Sequence, residues 1–137
     1  MDVLFINRFG VYHWTEYVFE DGSSKDKYWI SLNCTINQKE YHAILPTSKV
    51  EKHKLNKIDT FVIDEKRSQY FTKPTLLDFK KLKIDKKDVI EKAYQDSKFK
   101  YLGLLEKEIQ SDIENSIINS ETLSQILIDK LLCKGSQ

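Results

Sequence analysis

The side chains that could do chemistry in this chain are lysines and hydroxyls, rather than a metal cluster or a pair of catalytic acids. Lys27 opens the apolar run Tyr28-Trp29-Ile30, and Thr47-Ser48 follow Pro46 at the end of another apolar stretch. An ammonium can stabilise charge on a phosphate, and a hydroxyl can donate to one of its oxygens. Each also has a plainer use: a lysine at a strand start is a solvated edge, and Thr-Ser after a proline bonds its own turn. Lys49, Lys52, Lys54 and Lys57, with His53 among them, could follow a nucleic-acid backbone or simply solvate a loop. His13, His42 and His53 lie on separate segments, with no cysteine or acid at ligand spacing, so no metal site is expected. Asp64 and Glu65 are adjacent and would face opposite ways on a strand, which disfavours them as a proton-transferring pair. No GxSxG, P-loop, dinucleotide fingerprint or HExxH occurs, so a nucleotide- or metal-dependent enzyme is disfavoured and no cofactor is expected.

The elements that must position these groups change character along the chain. Gly10 to Glu20 is dominated by β-branched and aromatic residues and reads as a strand. Asp21-Gly22-Ser23-Ser24 is a turn signal. Lys27 to Cys34 alternates, with Tyr28, Ile30, Leu32 and Cys34 on one face and Lys27, Trp29, Ser31 and Asn33 on the other, the pattern of a strand covered on one side. A turn near Asn37-Gln38 leads to a strand from Glu40 to Leu45; Ser48 to Lys57 reads as a loop. Further strands are expected at Thr60–Ile63 and Thr75–Phe79.

After that the period lengthens. A short helix is expected from Asp85 to Gln95, and Leu102, Leu105, Ile109, Ile113 and Ile117 form one helical stripe. Ser120 is the expected N-cap of a last helix bearing Leu123, Ile126, Leu127 and Leu131, ended by Gly135. Strands first and helices after is an α+β order: a small sheet or barrel followed by C-terminal helices. The 137 residues suffice for one domain, 1–137, β-rich over 1–80 and helical over 85–133.

A net charge of +1 excludes a strongly basic or acidic protein, although the charge is sorted along the chain. Six lysines stand against three acids between Lys80 and Lys92, and six acids against three bases from Leu104 onward. Cys34 and Cys133 form no CxxC or zinc pattern and are expected to be buried or spare thiols of a reducing cytosol. The run Val3-Leu4-Phe5-Ile6 is too short for a secretion signal, and no window approaches the roughly eighteen apolar residues of a membrane span, so a cytoplasmic location away from membranes is expected.

Two stretches carry a resemblance to a known family. Lys27-Tyr28-Trp29-Ile30-Ser31-Leu32-Asn33, then Ala43-Ile44-Leu45-Pro46-Thr47-Ser48, resembles the paired strands of PemK/MazF-like toxins, in which a basic residue opens a hydrophobic strand and the next strand ends in Thr-Ser or Thr-Gly. Thr75-Leu76-Leu77-Asp78, then Lys83-Ile84-Asp85-Lys86-Lys87-Asp88-Val89, is similar to that family's late strand and the Ile-Asp-Lys turn into a helix. Together they cover roughly residues 8 to 117.

The resemblance implies an SH3-like barrel, a homodimer and a metal-independent endoribonuclease of a toxin–antitoxin pair. Such an enzyme cuts single-stranded RNA by attack of the ribose 2′-hydroxyl and is silenced by a cognate antitoxin. Carried onto this chain, it makes Thr47 and Lys27 the catalytic residues, with Ser48, Lys49 and Lys73 binding RNA. Lys27 stands where the family usually has arginine, and Tyr28 where it has proline. A lysine offers a mobile point charge in place of a rigid fork, and Arg8 is a possible substitute cation. Two other readings stay open: a non-catalytic module holding RNA or a peptide, and a regulatory subunit docking a partner through its helical tail.

Overall fold

The computed structural model describes residues 4–34, 39–50 and 58–134. It is an α+β structure: a five-stranded antiparallel sheet, a two-stranded ribbon and helices toward the C-terminus. In chain order the elements are β1 (Gly10–Val18), β2 (Ser24–Ser31), β3 (Glu40–Ile44), β4 (Thr60–Ile63), β5 (Thr75–Asp78), β6 (Lys83–Lys86), α1 (Lys87–Gln95), β7 (Phe99–Leu104), α2 (Lys107–Ile118) and α3 (Gln125–Leu131). They divide into two compact units, Met1–Leu45 with Lys83–Leu104 and Pro46–Leu82 with Leu105–Gln137. No helix among the described residues is long and apolar enough to cross a membrane.

The first unit holds the large sheet, in the order β6-β3-β2-β1-β7. The β1–β2 hairpin closes as expected: Gly22 takes φ +87°, and the Asp21 carboxylate accepts from the Ser23 N–H (2.9 Å) and hydroxyl (2.6 Å). Aromatic rings fill the core beneath. Tyr12 stacks on Phe99 at 4.6 Å between centroids, and Trp29 meets Tyr12 edge-on at 5.6 Å. Trp29 is fully buried, so its face of β2 is a core face. The expectation of a strand covered on one side is corrected here: Trp29, Ile30, Ser31 and Leu32 are all buried, and β2 is covered on both faces at this end.

Strand β7 lies within the stretch expected to be helical over 85–133, and β6 runs two residues into it, a second correction. Leu102 belongs to β7 rather than to the helical stripe, and Gly103 at φ +145° is incompatible with a helix. The pairing of β7 with β1 gives its backbone groups the partners a helix would otherwise supply. Helix α1 follows β6 without a loop; the Lys87 N–H donates to the Lys39 carbonyl at 2.8 Å, and Ile90 and Ala93 are buried.

In the second unit β4 and β5 pair antiparallel, with Thr60 opposite Asp78 and Ile63 opposite Thr75. The expected apolar stripe of α2 is present from Ile109 through Ile113 to Ile117, all buried. Ser124, not Ser120, caps the last helix, its hydroxyl accepting from the Leu127 N–H at 3.2 Å. Ser120 is engaged elsewhere: its hydroxyl donates to Asp59 at 2.6 Å. The expected turn at Asn37-Gln38 and stop at Gly135 lie outside the described residues. Neither Cys34 nor Cys133 is a free thiol; both are disulfide-bonded, which corrects the expectation of spare thiols.

Candidate functional site

A displaced register in β1 begins the site. Trp14 pairs with Lys27 and Tyr17 with Lys25, so Thr15 and Glu16 together face the single residue Asp26. This is a β-bulge, with Glu16 at φ +57° and its N–H bonded to Asp26 Oδ1 at 3.0 Å. Under strict alternation Trp14 and Tyr17, three apart, would point to opposite faces. The bulge turns Tyr17 to the same face, where it meets Trp14 edge-on at 4.8 Å and is buried.

From there the Tyr17 hydroxyl donates to Asp85 of β6, 3.1 Å from Oδ1 and 3.0 Å from Oδ2. Trp29 Nε1 of β2 donates to the same carboxylate at 2.9 Å. Neighbouring strands lie about 4.8 Å apart, so a flat sheet would hold β6 about 14 Å from β1, beyond the joint reach of an aspartate and a tyrosine. The first unit's sheet is therefore strongly curled, and Asp85 fastens the curl. Burial pushes the Asp85 carboxyl above the usual carboxylate range, against the opposing pull of the Trp29 and Tyr17 donors and the Lys83 charge. Burial and the neighbouring Asp85 charge drive the Tyr17 phenol far upward, so it stays a proton donor.

Beside this knot stands Phe19, half-buried and edge-on to Tyr17 at 5.3 Å. Two ammonium groups lie over its ring: Lys27 of β2 at 5.9 Å and Lys83 of β6 at 5.8 Å from the centroid. Together they form a cationic, aromatic patch next to a half-buried carboxyl whose proton affinity is raised. A patch of that kind suits a phosphate.

The sequence-predicted residues divide between the units. The first carries Lys27 and Arg8, the latter half-buried with its guanidinium carbon 4.3 Å from the Phe9 centroid. The second carries Thr47, Ser48, Lys49 and Lys73. Thr47 exchanges backbone bonds with Leu76 (3.1 and 2.8 Å), which sets its turn alongside β5 near Lys73. Its hydroxyl accepts from the Lys49 N–H at 3.2 Å, the local turn chemistry of a Thr after proline, while its own proton can still be donated. Ser48, Lys49 and Lys73 are exposed. Lys52, His53, Lys54 and Lys57 lie outside the described residues.

Both tryptophans, Trp14 and Trp29, are core residues and offer no exposed face for base stacking. Among the described residues no three His, Cys, Asp or Glu side chains gather as a metal site. Sequence reasoning missed Asp85, Tyr17, Phe19 and Lys83. The one available signal was Lys83-Ile84-Asp85-Lys86 read with a period of two, which puts Lys83 and Asp85 on one strand face. Comparison with family models, curated proteins and solved structures finds no match to this chain.

Proposed function

We propose that the chain is a PemK/MazF-like toxin, an endoribonuclease that cuts single-stranded RNA without a metal and is held silent by a cognate antitoxin. In the reaction the ribose 2′-oxygen attacks the adjacent phosphorus and gives up its proton, the bond to the 5′-oxygen breaks, and that oxygen is protonated. Lys27 serves as the phosphate-facing cation and Thr47 as a hydroxyl donor to a phosphate oxygen, with Ser48, Lys49 and Lys73 along the RNA backbone. A homodimer in the cytoplasm belongs to the same reading.

The observation that carries the reading is the antiparallel pairing of β2 with β3, Ile30 opposite Ile44. The strand that carries Lys27 and the strand that runs into Pro46-Thr47 are thus neighbours in one sheet, the pairing the resemblance requires. Two further features support it: Leu76-Leu77-Asp78 is a strand, and Ile84-Asp85-Lys86 runs straight into a helix. The reading takes the curled first-unit sheet for the larger part of an SH3-like barrel. Its two ends, β6 and β7, do not pair with each other, and it is the Asp85–Tyr17 bond across the curl that supports this step.

The deciding experiment incubates the protein with a long single-stranded RNA in EDTA, beside Lys27→Ala and Thr47→Ala. Discrete fragments ending in 2′,3′-cyclic phosphate, lost in both variants, are expected. RNA left intact by folded protein in large excess overturns the reading. RNA retained but uncut, and retained equally by Thr47→Ala, makes the chain a binding module, a second reading favoured by the turn bond already made by the Thr47 hydroxyl.

A further inference from the structure

Lysine at the position of the family's arginine leaves a chemical gap, since one ammonium cannot present the two parallel donors of a guanidinium. The first unit offers a second cation. Lys83 and Lys27 come from different strands, yet each ammonium lies within 6 Å of the centre of the Phe19 ring. The ring itself is fixed from two sides. The Phe19 N–H donates to the Ser23 carbonyl at 2.8 Å and its carbonyl accepts from the Gly22 N–H at 2.9 Å, which locks it to the hairpin turn. On the other side it rests on Tyr17, which Asp85 anchors.

We infer that Lys83 is a second RNA-phosphate contact, held with Lys27 around Phe19 so that two ammonium groups supply the paired donors of a single arginine. This rests on the RNA-cleaving reading above. Two cations near one ring repel each other, and a phosphate's oxygens between them relieve that repulsion. The ring's negative face also narrows the rotamers of two flexible side chains, so less freedom is lost when the phosphate binds. Asp85 lies two residues beyond Lys83 on the same strand face and is held by two neutral donors, Tyr17 and Trp29. It acts as a positioning residue, through Tyr17 and Phe19, rather than as a contact to RNA.

The test uses a short single-stranded RNA made uncleavable by 2′-O-methylation, with binding followed by fluorescence anisotropy over a salt series. The variants are Lys83→Ala, Lys83→Arg and, as a control, Lys86→Ala, which is exposed and lies on the opposite face of β6. Lys83→Ala is expected to weaken binding about tenfold at low salt and to lower the slope of log K against log salt by about 0.7, one lost contact on a single strand. Lys83→Arg should restore both, and Lys86→Ala should change neither. If the wild-type protein binds and cleaves RNA while Lys83→Ala matches it in affinity and slope, Lys83 is no contact and the inference falls alone. An equal loss in Lys86→Ala reduces the effect to general charge and overturns it as well. If the wild-type protein neither binds nor cuts RNA, the toxin reading fails first and takes this inference with it.

Discussion

Tyr17 on β1 donates its hydroxyl to both carboxylate oxygens of Asp85 on β6, reaching past the two strands that lie between them. With Trp29 bonded to the same carboxylate, three of the five strands of the sheet are joined through one side chain. Asp85→Ala strands the Tyr17 hydroxyl and Trp29 N–H in the core without their acceptor. The expected cost is about 2–4 kcal/mol of unfolding free energy, since each unsatisfied buried donor costs about 1–3. Tyr17→Phe removes one donor and leaves Asp85 bonded to Trp29, so its cost should be smaller, about 1 kcal/mol. Urea unfolding measures both. A Tyr17→Phe effect as large as that of Asp85→Ala would mean that the bond to Trp29 contributes nothing.

The same carboxyl sets a pH dependence whose sign opposes that of a second one. Burial lifts the folded Asp85 above its ordinary value of 3.8, so in the window just above 3.8 the folded chain binds the proton more tightly than the unfolded chain. Its contribution to stability therefore falls as pH rises through that window and levels once the folded group has ionised. Asp59 behaves oppositely. Burial alone would raise it, but hydrogen bonds from the Ser120 and Thr122 hydroxyls and the Glu121 and Thr122 N–H groups hold it down to about 2. Its contribution is present above 3.8 and lost as pH falls from 3.8 toward 2. Discounted for solvent screening, it amounts to about 1 kcal/mol. Stability measured from pH 2 to 6 should lose its falling component in Asp85→Asn and its rising component in Asp59→Asn; unchanged profiles in both variants would refute the assignment.

The cysteines give a prediction that depends on no functional reading. Cys34 and Cys133 are both disulfide-bonded, so the native protein should incorporate no maleimide, and two equivalents after reduction and unfolding. Disulfides are rare in reducing compartments, so protein prepared from a cytosol under alkylating conditions shows directly which state is held there. Prompt labelling of the native oxidised protein would contradict the structure.

Much of this architecture is legible in residue types, and the losses have physical causes. The hairpin at Asp21-Gly22, the strands at Glu40, Thr60 and Thr75, and the Ile109-Ile113-Ile117 stripe all follow from local chemistry that the tertiary structure keeps. Strand β6 was hidden because Lys83-Ile84-Asp85-Lys86 is mostly charged and leaves its one apolar residue, Ile84, exposed. Strand β7 was hidden because Leu102 falls in step with the helical stripe that follows it. Lys27 was legible as a strand cation but not as a mid-strand one, since β2 begins three residues earlier at Ser24; Phe19 and Lys83 come to it through a turn and a curled sheet, not through spacing. Tyr17 was furthest from view. Its place depends on a bulge for which Thr15-Glu16 carries no glycine, asparagine or other signature.

That bulge is the last testable point. Glu16 holds φ at +57°, a region that costs a non-glycine residue roughly 1–2 kcal/mol. Its side chain returns little, since the contact to Lys98 is 3.5 Å long and largely exposed. Glu16→Gly removes the steric cost but adds backbone freedom to the unfolded chain, so the net expectation is a gain of up to about 1 kcal/mol. Glu16→Val, β-branched at the same φ, should lose about 1–2 kcal/mol. Thermal unfolding of the two variants orders them as glycine, wild type, valine. A valine variant as stable as wild type would mean that β1 pairs without the bulge. In that register Tyr17 would face away from Trp14, and its bond to Asp85 would be lost.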